Sequence, residues 1–302
     1  MPPRHTRLGP IRSPRSGLYC RLVSPPPVSG DVQELVANLR LRYRYPLIVL
    51  RAMVINDFKL RYQASFLGYL WTLLKPLAMF TILYIVFIQL LKIGASVPYN
   101  AIYLLFGIVI WSFFGEATTQ GLASLVQRAD LLRKISFPRY VVVISVGMSA
   151  LISFGLSMVV IALFMALARV PLTMNILWLA PLFVELVVLS VSLGFILSGL
   201  YVRYRDLSYI WEVLLQAGFY AAPIIYPLSM IPERWARFLL LNPMAQMIQD
   251  ARYALITDQT VTISQAFGNP WVRVIPVGIT LALALTSAVY FHRRSPHFAE
   301  EA

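Results

Sequence analysis

The sequence predicts an all-α integral membrane protein: six transmembrane helices preceded by an amphipathic interfacial helix, with a short re-entrant helix pair between spans five and six. Three observations carry that prediction. Of 302 residues, 59% are hydrophobic and only 13% charged, against about one quarter charged in soluble domains. Six apolar stretches reach the roughly 20 residues that cross a bilayer. Finally, the stretch from Asp57 to Pro76, DFKLRYQASFLGYLWTLLKP, changes character within ten residues. It begins as a charged amphipathic helix bearing Asp57, Lys59, Arg61 and Tyr62, and becomes a hydrophobic run through Leu91 with Lys75 as its only charge.

In chain order, residues 1–30 hold Pro10, Pro14, Pro25, Pro26 and Pro27 among several arginines, without the apolar core of a signal peptide. They are expected to form a disordered cytoplasmic arm, either a plain tail or an interaction segment. Residues 31–70 are expected to be cytoplasmic and interfacial amphipathic helices, 71–292 the six-span domain, and 293–302 a cytoplasmic tail. The first span is predicted from Trp71 to Leu91 and the second from Tyr99 to Gly121. No charge interrupts the third, Tyr140 to Ala168. The fourth, Ile176 to Tyr201, contains Glu185; the fifth starts near Leu207 and breaks at Pro223 and Pro227; the sixth runs from Val274 to Phe291.

Lys and Arg concentrate in cytoplasmic loops. Arg128, Arg133, Lys134 and Arg139 follow the second span, Arg203 and Arg205 the fourth, and Arg293 and Arg294 the sixth. The first two loops on the opposite side offer only Lys92 and Arg169. Both termini are therefore predicted to be cytoplasmic. The net charge of +13 reads as topology and anionic-lipid contact rather than nucleic-acid binding, because no basic face is interleaved with exposed aromatics.

The segment Ser229 to Trp271 is long, moderately polar and punctuated by Pro232, Pro243 and Pro270. Two short helices are predicted there, with Pro232 at one first helical position and Asn242 and Pro243 as cap and first residue of the other. The second places Met244, Met247, Ile248, Ala251 and Leu255 on one stripe and Gln249, Asp250 and Arg252 elsewhere, which predicts a half-buried helix. The pair either dips into the outer leaflet, where protein or a watery cavity must cover its corners, or caps the bilayer from outside.

Enzyme classes find little support. There is no phosphate-binding Gly-Lys-Ser or Gly-Lys-Thr loop, the three histidines lie at the chain ends, and the single Cys20 forms no metal cluster, so no metal site is expected. Glu185 is the most deeply placed acid. It reads either as a coupling or substrate-contacting carboxylate or as a hydrogen-bonded packing residue, and packing is preferred because no second buried acid, His or Arg accompanies it at visible spacing. Ser145, Ser149, Ser153 and Ser157 form a small-residue stripe suited to close helix approach. Trp111, Phe113 and Phe114, and Phe219, Tyr220 and Tyr226, are aromatic groups that serve packing or, facing a cavity, provide flat surfaces for sugar rings. The loop Gln127 to Tyr140, QRADLLRKISFPRY, sets Asp130 before a basic helical stretch with Leu131, Leu132 and Ile135. Such a helix lies on lipid or docks into another protein.

Taken in order, Leu60-Arg61-Tyr62 with Ser65, Gly68, Trp71 and Pro76, then Phe137-Pro138-Arg139, Arg203-Tyr204-Arg205-Asp206, Pro223-Ile224-Ile225-Tyr226-Pro227 and Asn242-Pro243-Met244 resemble the membrane subunits of ABC-2 type exporters, specifically those of polysaccharides, lipopolysaccharide O-antigen and teichoic acids. The resemblance covers about Leu39 to Leu255. It implies a permease in the bacterial cytoplasmic membrane, a homodimer with two copies of a cytoplasmic ABC ATPase. It implies no cofactor on this chain, with ATP and Mg on the partner ATPase, where hydrolysis would occur. It also implies ATPase coupling through Arg128, Asp130, Leu131, Leu132, Arg133, Lys134, Phe137, Pro138 and Arg139, with the helix of Asp57, Lys59, Arg61 and Tyr62 beside them. Trp111, Phe114, Glu185, Phe219, Tyr220, Tyr226, Asn242 and Pro243 are the candidate channel and gate. The implied cargo is a polyprenyl-diphosphate-linked polysaccharide of O-antigen, teichoic acid or cell-wall galactan type. An ABC-2 exporter of a drug or lipid is the alternative, and a membrane-embedded glycosyl or acyl transferase the more distant one.

Overall fold

The structure is a computed structural model that describes residues 46–57, 59, 70–94, 97–134, 137–171 and 173–294. The expected arm at 1–30, Arg61 and Tyr62, and the last eight residues lie outside the described residues, as does the side chain of Arg133. Every regular element among the described residues is helical. Residues 46–57 form α1. The next element, α2 (Leu70–Leu83), keeps Pro76 in its interior and continues through a π-helical stretch, Tyr84–Leu90. Lys92 and Gly94, both left-handed with φ of 57° and 71°, then turn the chain back.

Helix α3 (Asn100–Gln127) is the hub. Its 28 residues carry it past the predicted end at Gly121, and most of its side chains are buried, whereas the other spans keep broad apolar faces exposed. A helix apolar on all sides and surrounded by helices is what a membrane bundle places at its centre. Two small residues set its closest crossing: a Cβ on Gly121 would stand 2.9 Å from the Cα of Gly194 in α6, so only glycine permits that approach.

The short α4 (Ala129–Lys134) leads into α5 (Tyr140–Leu167). The serine stripe of α5 is buried, and its hydroxyls donate back to the carbonyls of residues 142, 145, 149 and 153 at 2.8–3.4 Å. Each hydroxyl is thus satisfied within its own helix, which is the packing reading. A 3-10 turn, Met174–Trp178, enters α6 (Leu179–Arg203). The following α7 (Leu207–Ala221) has 15 residues, about 22 Å of helix, short of the ~30 Å hydrocarbon core. Five helical segments, Leu70–Leu90, Asn100–Gln127, Tyr140–Leu167, Met174–Arg203 and Pro270–Arg294, are long and apolar enough to span a membrane.

Beyond α7 lie α8 (Glu233–Leu240), α9 (Pro243–Leu255), α10 (Ile263–Phe267) and, after a 3-10 turn, α11 (Val274–Arg294). Pro232 caps α8 in an extended conformation rather than occupying its first helical position. Asn242 caps α9 as expected, its side chain accepting from the Met244 N–H at 3.0 Å, with Pro243 in the first turn. The half-buried α9 does not form. Gln246, Gln249, Asp250 and Arg252 are as buried as Met247 and Ile248, because each polar side chain finds a partner on a neighbouring element or its own helix.

Candidate functional site

The basic segments converge at one end of the bundle. Met53 of α1, Leu125 of α3, Val141, Val142 and Val143 of α5, Val202 of α6 and Phe291 of α11 share an apolar cluster, with Leu131, Leu132 and Phe137 packed against it. The face of α4 opposite its leucines leaves Asp130 and Lys134 exposed. Of the predicted coupling residues, Arg128 turns inward instead. Its guanidinium pairs with Asp57 of α1 and donates to the Ser145 hydroxyl at 2.8 Å. One arginine therefore ties α1 to the end of α3 and the start of α5. The Oδ2 of Asp57 and Nη1 of Arg139, also buried there, make no hydrogen bond. Lys59 is exposed beside this end, and Pro138 lies half-buried at the entry to α5.

At the other end sits a residue the sequence did not single out. Arg252 is completely buried. Its Nε donates to the Tyr103 carbonyl at 3.0 Å, Nη1 to the Pro223 carbonyl at 2.6 Å and Nη2 to the Ile224 carbonyl at 2.8 Å. The guanidinium also lies 3.6 Å from the centre of the Tyr103 ring, close enough for cation–π attraction. A planar fork can serve three carbonyls in different directions while a ring covers its face. Room for it exists because residue 107 is glycine, where a Cβ would collide with Nη2. Arg252 thus fastens the proline-broken corner after α7 to both α3 and α9.

The predicted gate residues separate into three places. Trp111 of α3 packs on Phe219 of α7 and Phe114 of α3 on Trp211 of α7, each pair with ring centres 6.3 Å apart, Trp111 and Phe114 themselves lie 5.5 Å apart, and the Trp211 Nε1–H donates to Thr118 at 3.1 Å. Phe219 meets Tyr220 edge-on at 5.4 Å, and the Tyr226 hydroxyl donates toward the carbonyls of Tyr220 and Ala221. These five predicted aromatics form one corner between α3 and α7. Phe114 and Phe219 are buried packing groups, while Tyr220, 60% exposed, keeps a free face. Asn242 and Pro243 belong to the start of α9, where they form its cap and first turn.

Glu185 lies apart from both, lining a cavity of about 680 Å³ with Asp250 of α9, Arg273 of the 3-10 turn that precedes α11, and Thr280 of α11. The preference for a hydrogen-bonded packing carboxylate rested on the absence of a second buried acid, His or Arg at visible spacing; the fold brings the buried Asp250 and the half-buried Arg273 to the same cavity. Asp250 Oδ2 accepts from Arg273 Nε at 3.0 Å and from Gln246 Nε2 at 2.7 Å.

A profile of the ABC-2 type transporter family matches residues 49–256, more than two thirds of the sequence. The chain belongs to this family. An O-antigen export system permease protein of Myxococcus xanthus is 29% identical over 269 residues, covering 88% of this chain and 99% of the relative. Another protein of the same description from Klebsiella pneumoniae is 30% identical over 209 residues, 69% of this chain and 79% of the relative. The polysialic acid transport protein KpsM of Escherichia coli is 22% identical over 212 residues, 69% of this chain and 81% of the relative.

In this ABC-2 type transporter, the family match takes in most of α1, α4, the aromatic corner and Arg252, and stops just after α9. Arg252 escaped the sequence reading because its partners are backbone carbonyls, 28 to 149 residues distant, that leave no complementary acid to find. The start of α10 was legible in principle. Thr262 and Gln265 form a reciprocal capping box, the Thr-x-x-Gln signature of a helix start.

Proposed function

We propose that this chain is the permease subunit of an ABC exporter that moves a polyprenyl-diphosphate-linked polysaccharide across the bacterial cytoplasmic membrane, driven by a separate ATPase. The near full-length similarity to an O-antigen export permease, 99% of that relative's length, carries the reading and favours a polysaccharide over a drug or lipid. Two copies of the chain pair around the path and bind two ATPases, which hold ATP and Mg; the chain itself performs no hydrolysis.

The end that gathers Arg128, Arg139, Arg203, Arg205 and Arg293 is cytoplasmic in this reading, following the bias of basic residues, and both termini lie on that side. Helix α7 is the fifth of six spans, completed by the proline-broken segment after it, and α8 and α9 are the re-entrant pair, α9 buried in protein as such corners require and α8 mostly exposed. Helix α4 receives the ATPase through its solvent face, and its leucine face passes the displacement to the apolar cluster. Arg128 transmits rather than contacts: its Asp57 and Ser145 bonds carry the movement to α1 and α5. Tyr220 offers the free aromatic face of the path.

Depleting the chain in its host and then sizing polyprenyl-diphosphate-linked glycans on each side of the membrane tests the assignment. Completed glycan accumulating on the cytoplasmic side is the expected result. Normal surface polysaccharide without accumulation refutes it.

A further inference from the structure

The cavity beside Glu185 lies between α6, α9 and α11 and shares no residue with the aromatic corner. Its volume of about 680 Å³ falls within the ~300–1,000 Å³ range of small-ligand sites. The wall is apolar, with Leu182, Val184, Val188, Val277 and Leu281. Val184 and Leu281 are 63% and 55% exposed, so the cavity opens sideways between two spanning helices toward lipid. Its floor is of the opposite character. Asp250 is only 3% exposed, and although the Ile263 N–H lies nearby, Oδ1 closes no hydrogen bond. Glu185 Oε1 and the Thr280 hydroxyl stand against each other beside it, and neither has a hydrogen-bond partner outside that pair.

Unsatisfied acceptors at this depth cost free energy unless something donates to them. Two carboxylates face a single guanidinium here, and that guanidinium gives only its Nε to Asp250, leaving its outer nitrogens for an anion. Trp178, whose ring lies 5.6 Å from the Arg273 guanidinium, stands at the start of α6 where amphipathic rings meet the headgroup layer. The floor therefore asks for a cation with N–H donors next to an anion, and the wall asks for hydrocarbon.

We propose that this cavity binds a phospholipid whose headgroup carries a primary ammonium, the ammonium between Glu185 and Asp250, the phosphate at Arg273, and the acyl chains leaving between α6 and α11. The site holds a lipid of the outer half of the bilayer against the fold and is independent of what the transporter carries. A charged ammonium reaching both carboxylates supplies N–H donors to the acceptors that lack them. A trimethylammonium headgroup has the charge without the N–H donors and leaves the acceptors empty.

The test is native mass spectrometry of the full chain, purified in detergent and offered phosphatidylethanolamine and phosphatidylcholine of matched acyl chains. Retention of the ethanolamine lipid about tenfold above the choline lipid is expected from one charge-assisted hydrogen bond. In Glu185→Gln, which keeps the shape, that ratio falls toward one. Equal retention by the unaltered chain, which requires no variant to fold, overturns the proposal, as does an undiminished ratio in Glu185→Gln. Stronger retention of phosphatidylglycerol than of the ethanolamine lipid overturns the ammonium assignment. Displacement of the bound lipid by soluble phosphoethanolamine at equal concentration overturns the need for acyl chains.

Discussion

Replacing Arg252 should destabilise the corner after α7 more than any other single truncation in α9. Hydrogen bonds involving a charged partner contribute about 1.5–3 kcal/mol each, and the Arg252 side chain makes three, to Tyr103, Pro223 and Ile224. Simple addition would give about 5–9 kcal/mol, but removing the cation also relieves its desolvation cost. A net loss of about 3–5 kcal/mol is the expectation for Arg252→Ala. Arg252→Lys should recover little, since an ammonium cannot direct donors to three separated carbonyls while stacking on a ring. The assay is the thermal half-unfolding temperature of the detergent-purified chain, followed by size-exclusion chromatography. Gly107 supplies the decisive control. Gly107→Ala places a Cβ against Nη2 and should be costly alone, yet much less so in the Arg252→Ala background, where the nearest of the other contacts is Ile224 at 3.3 Å. The double-mutant cycle should therefore be strongly non-additive. Additive losses, or an Arg252→Lys protein as stable as the parent, would refute the account of the guanidinium as a three-way fastener.

The remaining predictions concern the packing and the basic end. Gly121→Val should abolish monodisperse protein in detergent because its Cβ would enter the Gly194 backbone 2.9 Å away, whereas Gly155→Ala, with nothing within 4 Å of the new Cβ, should leave the unfolding temperature unchanged or slightly raised. Arg128→Asp should lower stability by about 1–3 kcal/mol through loss of a partly buried pair, and the exchange Asp57→Arg with Arg128→Asp should recover part of it, measured by the same thermal assay; no recovery would argue that Ser145, not Asp57, is the partner that matters. Charge reversal at Arg133 and Lys134 should stop export while leaving membrane insertion intact, scored by surface glycan and by co-purification of the ATPase. Unchanged export with the ATPase still bound would remove α4 from the coupling path.

Five of the six predicted spans were legible because a membrane helix announces itself by length and apolarity alone: α5 runs from Tyr140 to Leu167, within a residue of its prediction. Breaks were legible where proline enforces them, at Pro223 and Pro227, and the Asn242 and Pro243 cap fell where those residue types demand. What failed was burial of polar groups. On α9, Gln249, Asp250 and Arg252 occupy positions that amphipathic periodicity assigns to solvent, and all are inside. Periodicity reports hydrophobic contrast, but a membrane protein buries polar side chains wherever backbone carbonyls from a broken segment need donors. The partners of Glu185 were invisible for a related reason. Asp250 and Arg273 come to it from α9 and the 3-10 turn before α11, and nothing in local spacing links three elements that meet only in the folded bundle.

The two ends of the molecule are held in physically different ways, and that difference constrains how the transporter can move. At the basic end an apolar cluster and a partly exposed ion pair join α1, α4, α5, α6 and α11. Apolar contacts are non-directional, so these helices can slide by an ångström or two while losing little. At the opposite end Arg252 binds its carbonyls through directional bonds in a fully buried setting, and a small displacement would strand a cation away from water. The corner at Pro223 and Ile224 must therefore travel with α3 and α9 as one body. Any opening of a path beside α7 has to come from the segments on either side of that corner: α7 itself, held to α3 by aromatic packing, and α8, which rests on the small cluster of Leu228, Ala236, Leu240 and Ile263. Cross-linking Pro223 to Tyr103 through introduced cysteines should accordingly leave export intact, whereas cross-linking Gly218 to Trp111, whose ring lies 2.8 Å from a Cβ at that glycine, should arrest it.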